Sequence, residues 1–213
     1  MVGRLLPALC AIAIATGCGQ VSLPFAHTAT ASDVALHDSD LPSALQRCAD
    51  SGQVNAYLDN IKRRQPSAYK PSVDEWNSLR AEGADDAWIG VYADNANECT
   101  SIFGGTAGQG TTTQNPKLAQ NIVVRFKDEK SAQTAYKNGM GQVRPDQISN
   151  QPGLTRGNNT GLGANSMVYF SSLGGRMFYL AFWQNKTFTV LLATSNLPET
   201  DAKRATSDIN GRI

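Results

Sequence analysis

Two histidines, His27 and His37, and four cysteines, Cys10, Cys18, Cys48 and Cys99, limit the chemistry open to this chain of 213 residues. Both histidines precede residue 40, in a stretch with neither helical nor strand period, where linker polarity explains them better than a metal site. Beyond them the chain has no histidine, which removes Ser-His-Asp and Cys-His catalysis, HExxH hydrolysis and His-ligated zinc together. Carboxylate pairs remain, because glycoside hydrolysis needs only two acids. Asp85-Asp86, Asp128-Glu129, and Glu199 with Asp201 all fall at expected strand or helix starts, where turns and helix dipoles favour acids for structural reasons. Residues 104–115 (GGTAGQGTTTQN) space glycines closely enough to aim amides at an anion. They lack the GxxxxGK[ST] order of a phosphate loop, so a plain loop is the better reading. Gly161-Leu162-Gly163 precedes a strand, whereas a dinucleotide loop opens a helix. No catalytic residue, metal or cofactor is expected, and the chain is read as not an enzyme, a carboxylate-based hydrolase being the remote alternative.

Charge adds a further exclusion. Basic and acidic side chains number 19 and 18, with no basic stripe to neutralise phosphates, so nucleic acid is not expected as a partner. Arg4 followed by LLPALCAIAIA is a short positive and then apolar leader, on the scale of a signal-peptide core. A bilayer-spanning helix needs roughly 20 apolar residues, and no stretch supplies them.

The leader ends in Ala15-Thr16-Gly17-Cys18, which resembles the lipobox of bacterial lipoproteins, with Ala15 where that family most often has Leu. The resemblance implies that Cys18 is lipidated, that residues 1–17 are removed, and that the protein sits at the cell membrane on its extracytoplasmic side. Two or three acyl chains, at roughly 0.8 kcal/mol per buried methylene, would make a lasting anchor. Ordinary cleavage at Ala13-Ile14-Ala15 or Ala29-Thr30-Ala31 is the alternative. With Cys10 in the leader and Cys18 acylated, Cys48 and Cys99 remain as one pair in an oxidising compartment, where a disulfide persists. A reduced metal or redox pair is the competing reading, but it lacks CxxC spacing and a nearby histidine.

Several elements must position whatever function the chain has. Residues 18–40 read as a lipid-anchored flexible linker and 41–213 as one extracytoplasmic domain. Helices are expected over 42–48 and 54–63, the second with Val54, Tyr57/Leu58 and Ile61 on one face. A third helix is expected to start at Ser72, with Ser72 as cap and Glu75 at the third position of a capping box. Asn95 and Asp128 should cap two more helices, and Asn196 a last one, with Pro198 early, Glu199 at the third position, and Ala202, Ala205 and Ile209 on one face. Strands are expected over 87–93, 121–127 and 164–170. Residues 176–195 (RMFYLAFWQNKTFTVLLATS) should form a hairpin turning at Gln184-Asn185. That register puts Met177, Tyr179, Ala181 and Trp183 on one face with Phe188, Val190 and Leu192, and a one-residue slip would reverse the second strand.

The order of elements predicts an α+β domain with an antiparallel or mixed sheet of about five strands and helices packed on one face. Its second half, VVRF with an Ala-rich helix, GLGANS, two apolar strands and a helix ending NGRI, resembles extracytoplasmic domains of actinobacterial lipoproteins and sensor kinases. Two functions follow as expectations. One is a ligand-binding or sensing module in which Trp88, Tyr92, Tyr179 and Trp183 line a site. The other is a structural lipoprotein that presents a surface to an envelope protein partner. An open aromatic sheet face would favour the first and two covered faces without a pocket the second.

Overall fold

Strands that are apolar on both sides must be covered on both sides, and this requirement sets the layering of the protein. The computed structural model describes residues 29–103, 115–141 and 143–213. In chain order these residues form α1 (Ala31–Val34), β1 (Gln46–Arg47), β2 (Gly52–Gln53), α2 (Val54–Arg64), α3 (Pro66–Ala81), β3 (Ala84–Ala93) and α4 (Ala96–Phe103). Then follow β4 (Leu118–Phe126), α5 (Glu129–Asn138), β5 (Leu154–Arg156), β6 (Ser166–Leu173), β7 (Arg176–Asn185), β8 (Phe188–Ser195) and α6 (Glu199–Gly211). The architecture is α+β, as the order of elements predicts.

All strands join one sheet in the order β1-β3-β4-β8-β7-β6-β5, with β2 beside β1 on the outer side of β3. Every pairing is antiparallel. The sheet has eight strands where about five are expected. The five long strands are the expected ones, and β1, β2 and β5 span only two or three residues each, too few for a period to register.

The β7–β8 turn lies at Lys186-Thr187, with Asn185 opposite Phe188 and Trp183 opposite Val190. Lys186 takes the positive φ of 48°, not the Asn beside it. The turn therefore sits two residues beyond its expected place. An even step preserves which side chains share a face, so Tyr179, Ala181, Trp183, Phe188, Val190 and Leu192 still lie together. Leu180, Phe182 and Leu191 point the other way. At the far edge a bulge between Ala84 and Asp86 shifts the β3 register.

Helices cover both faces, not one. On the first, α2, α3 and α5 bury Val54, Leu58, Leu79, Ala132, Ala135 and Tyr136 against Ile89, Val124, Phe126 and Phe182. On the second, Ala202, Ala205 and Ile209 of α6 pack with Ala31, Val34, Ala35 and Leu36. Those last four correct the start of the domain, since residues 29–40 pack on the sheet with Ala31, Val34, Ala35 and Leu36 buried, and do not form a linker. Thr30 and Asp33 form a capping box on α1, and Leu36 N–H donates to Oδ1 of the buried Asn121 at 2.9 Å. Ala31 N–H donates to Asp86 Oδ2 at 2.7 Å. Arg212 grips the same segment with a two-pronged bond to Asp40, at 2.7 and 3.1 Å, and a bond to the Ala35 carbonyl at 2.8 Å.

Two expected helix limits also move. Residues 42–48 form turns and β1. Helix α3 begins at Pro66, whose missing N–H costs nothing at a first helical position. Ser72 is therefore inside the helix, its hydroxyl donating to the Ala68 carbonyl at 2.9 Å. The caps at Asn95 and Asp128 form as expected. Asn196 instead bonds β7 and the Pro116 carbonyl. Cys48 and Cys99 are bridged, tying the turn between β1 and β2 to α4.

Two stability changes follow. Replacing both cysteines by serine is expected to cost about 4 kcal/mol in chemical denaturation, the chain-entropy value for a loop of this length. Burial pushes the Asp40 carboxyl up, but the Arg212 hydrogen bond, the His37 amide and the Arg212 charge together hold it below its ordinary value. A depressed carboxyl contributes stability above its unfolded pKa and loses it as pH falls through the folded value. Asp40→Asn should therefore be less stable at neutral pH and show a shallower acid limb, measured as denaturation midpoint against pH.

Candidate functional site

The aromatic residues singled out in the sequence do gather on one face, but that face is roofed. Tyr92 is buried, and its hydroxyl donates to the Leu36 carbonyl at 2.6 Å. Burial, followed by the Asp38 charge, pushes it up to about 12. The Tyr179 hydroxyl lies 3.0 Å from Thr206 Oγ1. Because Thr206 donates to the Ala202 carbonyl, Tyr179 is the donor of that pair. Trp183 is fully buried in the same cluster and Trp88 packs half-buried at its margin. Of the four, Tyr179 also reaches a cleft of about 330 Å³, shared with Leu162, Lys203 and Asn210.

Another cavity, with a volume of about 340 Å³, lies on the opposite face, between the sheet and the α2–α3 pair. Its floor is apolar because β3 and β4 turn Ala87, Ile89, Ile122 and Val124 to that side. Helix α2 contributes Val54, Tyr57 and Leu58, and α3 contributes Ser72, Glu75, Trp76 and Leu79. Tyr57 and Leu58 follow Val54 at helical spacing, and Trp76 and Leu79 bracket one turn of α3, so each helix presents one stripe inward. Gln120 enters from β4.

The remaining wall is a turn that the α5 terminus forces into place. Gly139, at φ 88°, ends α5. A Cβ there would stand 2.1 Å from the Val143 carbonyl oxygen, so no other residue fits. Met140 and Val143 then pair through two backbone bonds of 3.0 and 2.9 Å, which brings Met140 and Gly141 to the cavity edge. Glu75 Oε1 accepts the Gly141 N–H at 2.5 Å, fixing helix to turn. Beyond that contact lies a second cleft of about 550 Å³, which shares Ser72, Glu75 and Leu79 and adds Glu82, Asn138 and Arg144.

The polar groups of the first cavity are few and grouped. Glu75 and Tyr57 line it together, and the Tyr57 hydroxyl is pushed up to about 12, first by burial, then by the Glu75 charge and that of Asp50. Such a constellation can orient a small molecule, an apolar body against the sheet and a polar group at one end. Reasoning from sequence gives Glu75 a capping role and Tyr57 a helix-face role. Only the pairing of α2 with α3 over β3 and β4 joins them.

The carboxylate pairs considered for hydrolysis are spread over the molecule, and all of their acids but the exposed Glu129 are engaged in structure. Asp85 bonds Arg125 at 2.8 Å, Asp86 holds Ala31 and Gln53, and Asp128 caps α5. Glu199 and Asp201 pair with Lys203 and Arg204 along α6. Among the described residues no group of three or more His, Cys, Asp or Glu could hold a metal ion, and no helix is long and apolar enough to cross a membrane. Cys18, His27 and nearly all of the glycine-rich loop at 104–115 lie outside the described residues. Comparison with protein families, curated proteins and solved structures found no match to this chain.

If Glu75 acts on Tyr57 through a poorly solvated cavity, removing its charge must ease ionisation of the phenol. Glu75→Gln is expected to lower the Tyr57 pKa from about 12, while burial keeps it above that of an exposed tyrosine. A pH titration of the labelled Tyr57 ring carbon by NMR checks this.

Proposed function

We propose that the protein is a ligand-binding lipoprotein of the cell envelope, held at the extracytoplasmic side of the membrane through Cys18, with its binding site between α2, α3 and the sheet. The cavity carries this reading. At about 340 Å³ it falls within the range of small-molecule sites, roughly 300–1,000 Å³, and has their mix of apolar floor and few polar groups. The anchor rests on the lipobox resemblance at Ala15-Thr16-Gly17-Cys18. Trp88, Tyr92 and Trp183 then act as scaffold of the opposite face, and Tyr57, Glu75, Trp76 and Gln120 become the contacts.

A protein-interaction role without a small ligand is favoured by one feature, the end of the β6–β7 hairpin. Leu173 there is 81% exposed and Phe178 42% exposed, and the pairing puts both on one side of the hairpin.

The two parts of the proposal are tested separately. Protein extracted from its native membranes is expected to release a small molecule on denaturation, seen by mass spectrometry. Ile122→Trp, which fills the cavity floor, should release none while keeping its fold by circular dichroism. Equal release from both proteins, or none from either, would count against the cavity. Cys18→Ala is expected to lose acyl labelling and leave the membrane fraction, and unchanged partitioning would count against the anchor.

A further inference from the structure

Glu75 is the single formally charged side chain among the residues lining the α2–α3 cavity. An ionised carboxylate offers about four lone-pair sites, and the Gly141 N–H occupies one of them. Among the described residues no Lys, Arg or His forms an ion pair with it. Arg144, the basic residue of the adjoining cleft, donates instead to the Val143 carbonyl at 3.2 Å. Glu75 is half-buried at the wall of a partly apolar pocket, where an opposite charge is attracted more strongly than in open water. Here it also stands beside two aromatic rings, Tyr57 and Trp76, which attract cations to their faces. An anionic ligand would meet the carboxylate as a like charge, and a wholly apolar one would desolvate it for no return.

The geometry points to a cationic ligand. We propose that the molecule taken by this cavity carries an ammonium nitrogen on a small apolar body, with the nitrogen at Glu75 and the body on Ile89, Ile122 and Val124. This rests on the cavity being a binding site, as proposed above, and adds the charge of its occupant. The neutral acceptor Gln120 and the hydroxyls of Tyr57 and Ser72 are compatible with N–H donors, and no lining group would repel one.

The test uses three probes on each of two bodies: tryptamine, tryptophol and indoleacetate, and octylamine, octanol and octanoate. Binding to the lipidated full chain in detergent is read by calorimetry and by NMR shifts of the Ile122 and Met140 methyl groups. The amine of at least one series should bind roughly tenfold or more tighter than its alcohol, the scale of a charge-assisted hydrogen bond, and the carboxylate should bind weakest. Glu75→Gln, which keeps an acceptor for the Gly141 N–H, should erase the amine preference by weakening amine binding more than alcohol binding. Ile122→Trp should abolish all binding. Equal affinity for amine and alcohol, or preference for the carboxylate, would overturn the cationic reading while leaving the cavity a binding site. Failure of all six probes to shift either methyl would overturn both. An amine preference that survives in Glu75→Gln would place the cation elsewhere and overturn the assignment to Glu75.

Discussion

A sheet apolar on both sides needs two covers, and nearly every other feature of the protein answers to that. In β4 the side chains of Ala119 and Val123 face one way and those of Ile122, Val124 and Phe126 the other. Burial of such side chains stabilises by about 1.5–3 kcal/mol each for the larger ones, so an uncovered face would forfeit much of the core. The helices between β2 and β5 close one side. The other is closed by the two ends of the described chain, residues 29–41 and α6.

The second cover is held by polar contacts because its own apolar area is small. Ala31, Val34, Ala35 and Leu36 fill little volume, and Asn121 reaches up from the sheet to fix the Leu36 amide while donating to the Leu191 carbonyl at 3.0 Å. Gly90, opposite Asn121, leaves room at the same level. A Cβ there would come 3.3 Å from the Tyr92 ring. Asp40 and Arg212 complete the hold. Asp40 is nearly buried while Arg212 keeps about a quarter of its surface exposed, so removing Arg212 would leave the more buried charge without its partner. The first cover has the opposite character. Its long helices carry ample apolar surface but do not close fully over β3 and β4, and the cavity is the space left.

Much of this was legible in the residues, and the misreadings have physical causes. The hairpin faces survived a displaced turn because the displacement was even. Asp128 and Asn95 were recognisable caps because a carboxylate or amide before an apolar stripe has few other uses. Residues 29–40 looked like a tether because their apolar side chains are mostly alanine, although Thr30 and Asp33 at capping-box spacing, with Ala31, Val34 and Ala35 behind them, were a helix signal in plain view. Ser72 and Glu75 have the same spacing and are not a cap, since Pro66 had already started the helix. Alternation shows which aromatic residues share a face, but not which face is roofed. Trp88, Tyr92, Tyr179 and Trp183 could thus be grouped from sequence, while Glu75 and Tyr57, from different helices, could not.

The grip of Arg212 on Asp40 joins residues 172 apart in the chain. Contacts of such separation bring their full loop-closure cost before any return, so they form only once the intervening strands have ordered. The same logic runs backwards in the native state. Residues 29–41 and α6 hold the sheet through few large apolar side chains, so they are placed to open together as one low-energy unit while the sheet and its other helices stay intact. Within the sheet and its two covers, amide exchange would then be fastest in residues 29–41 and α6. The face that looked from sequence like a binding surface would be bared briefly and often, as a breathing motion of the fold and not as a site.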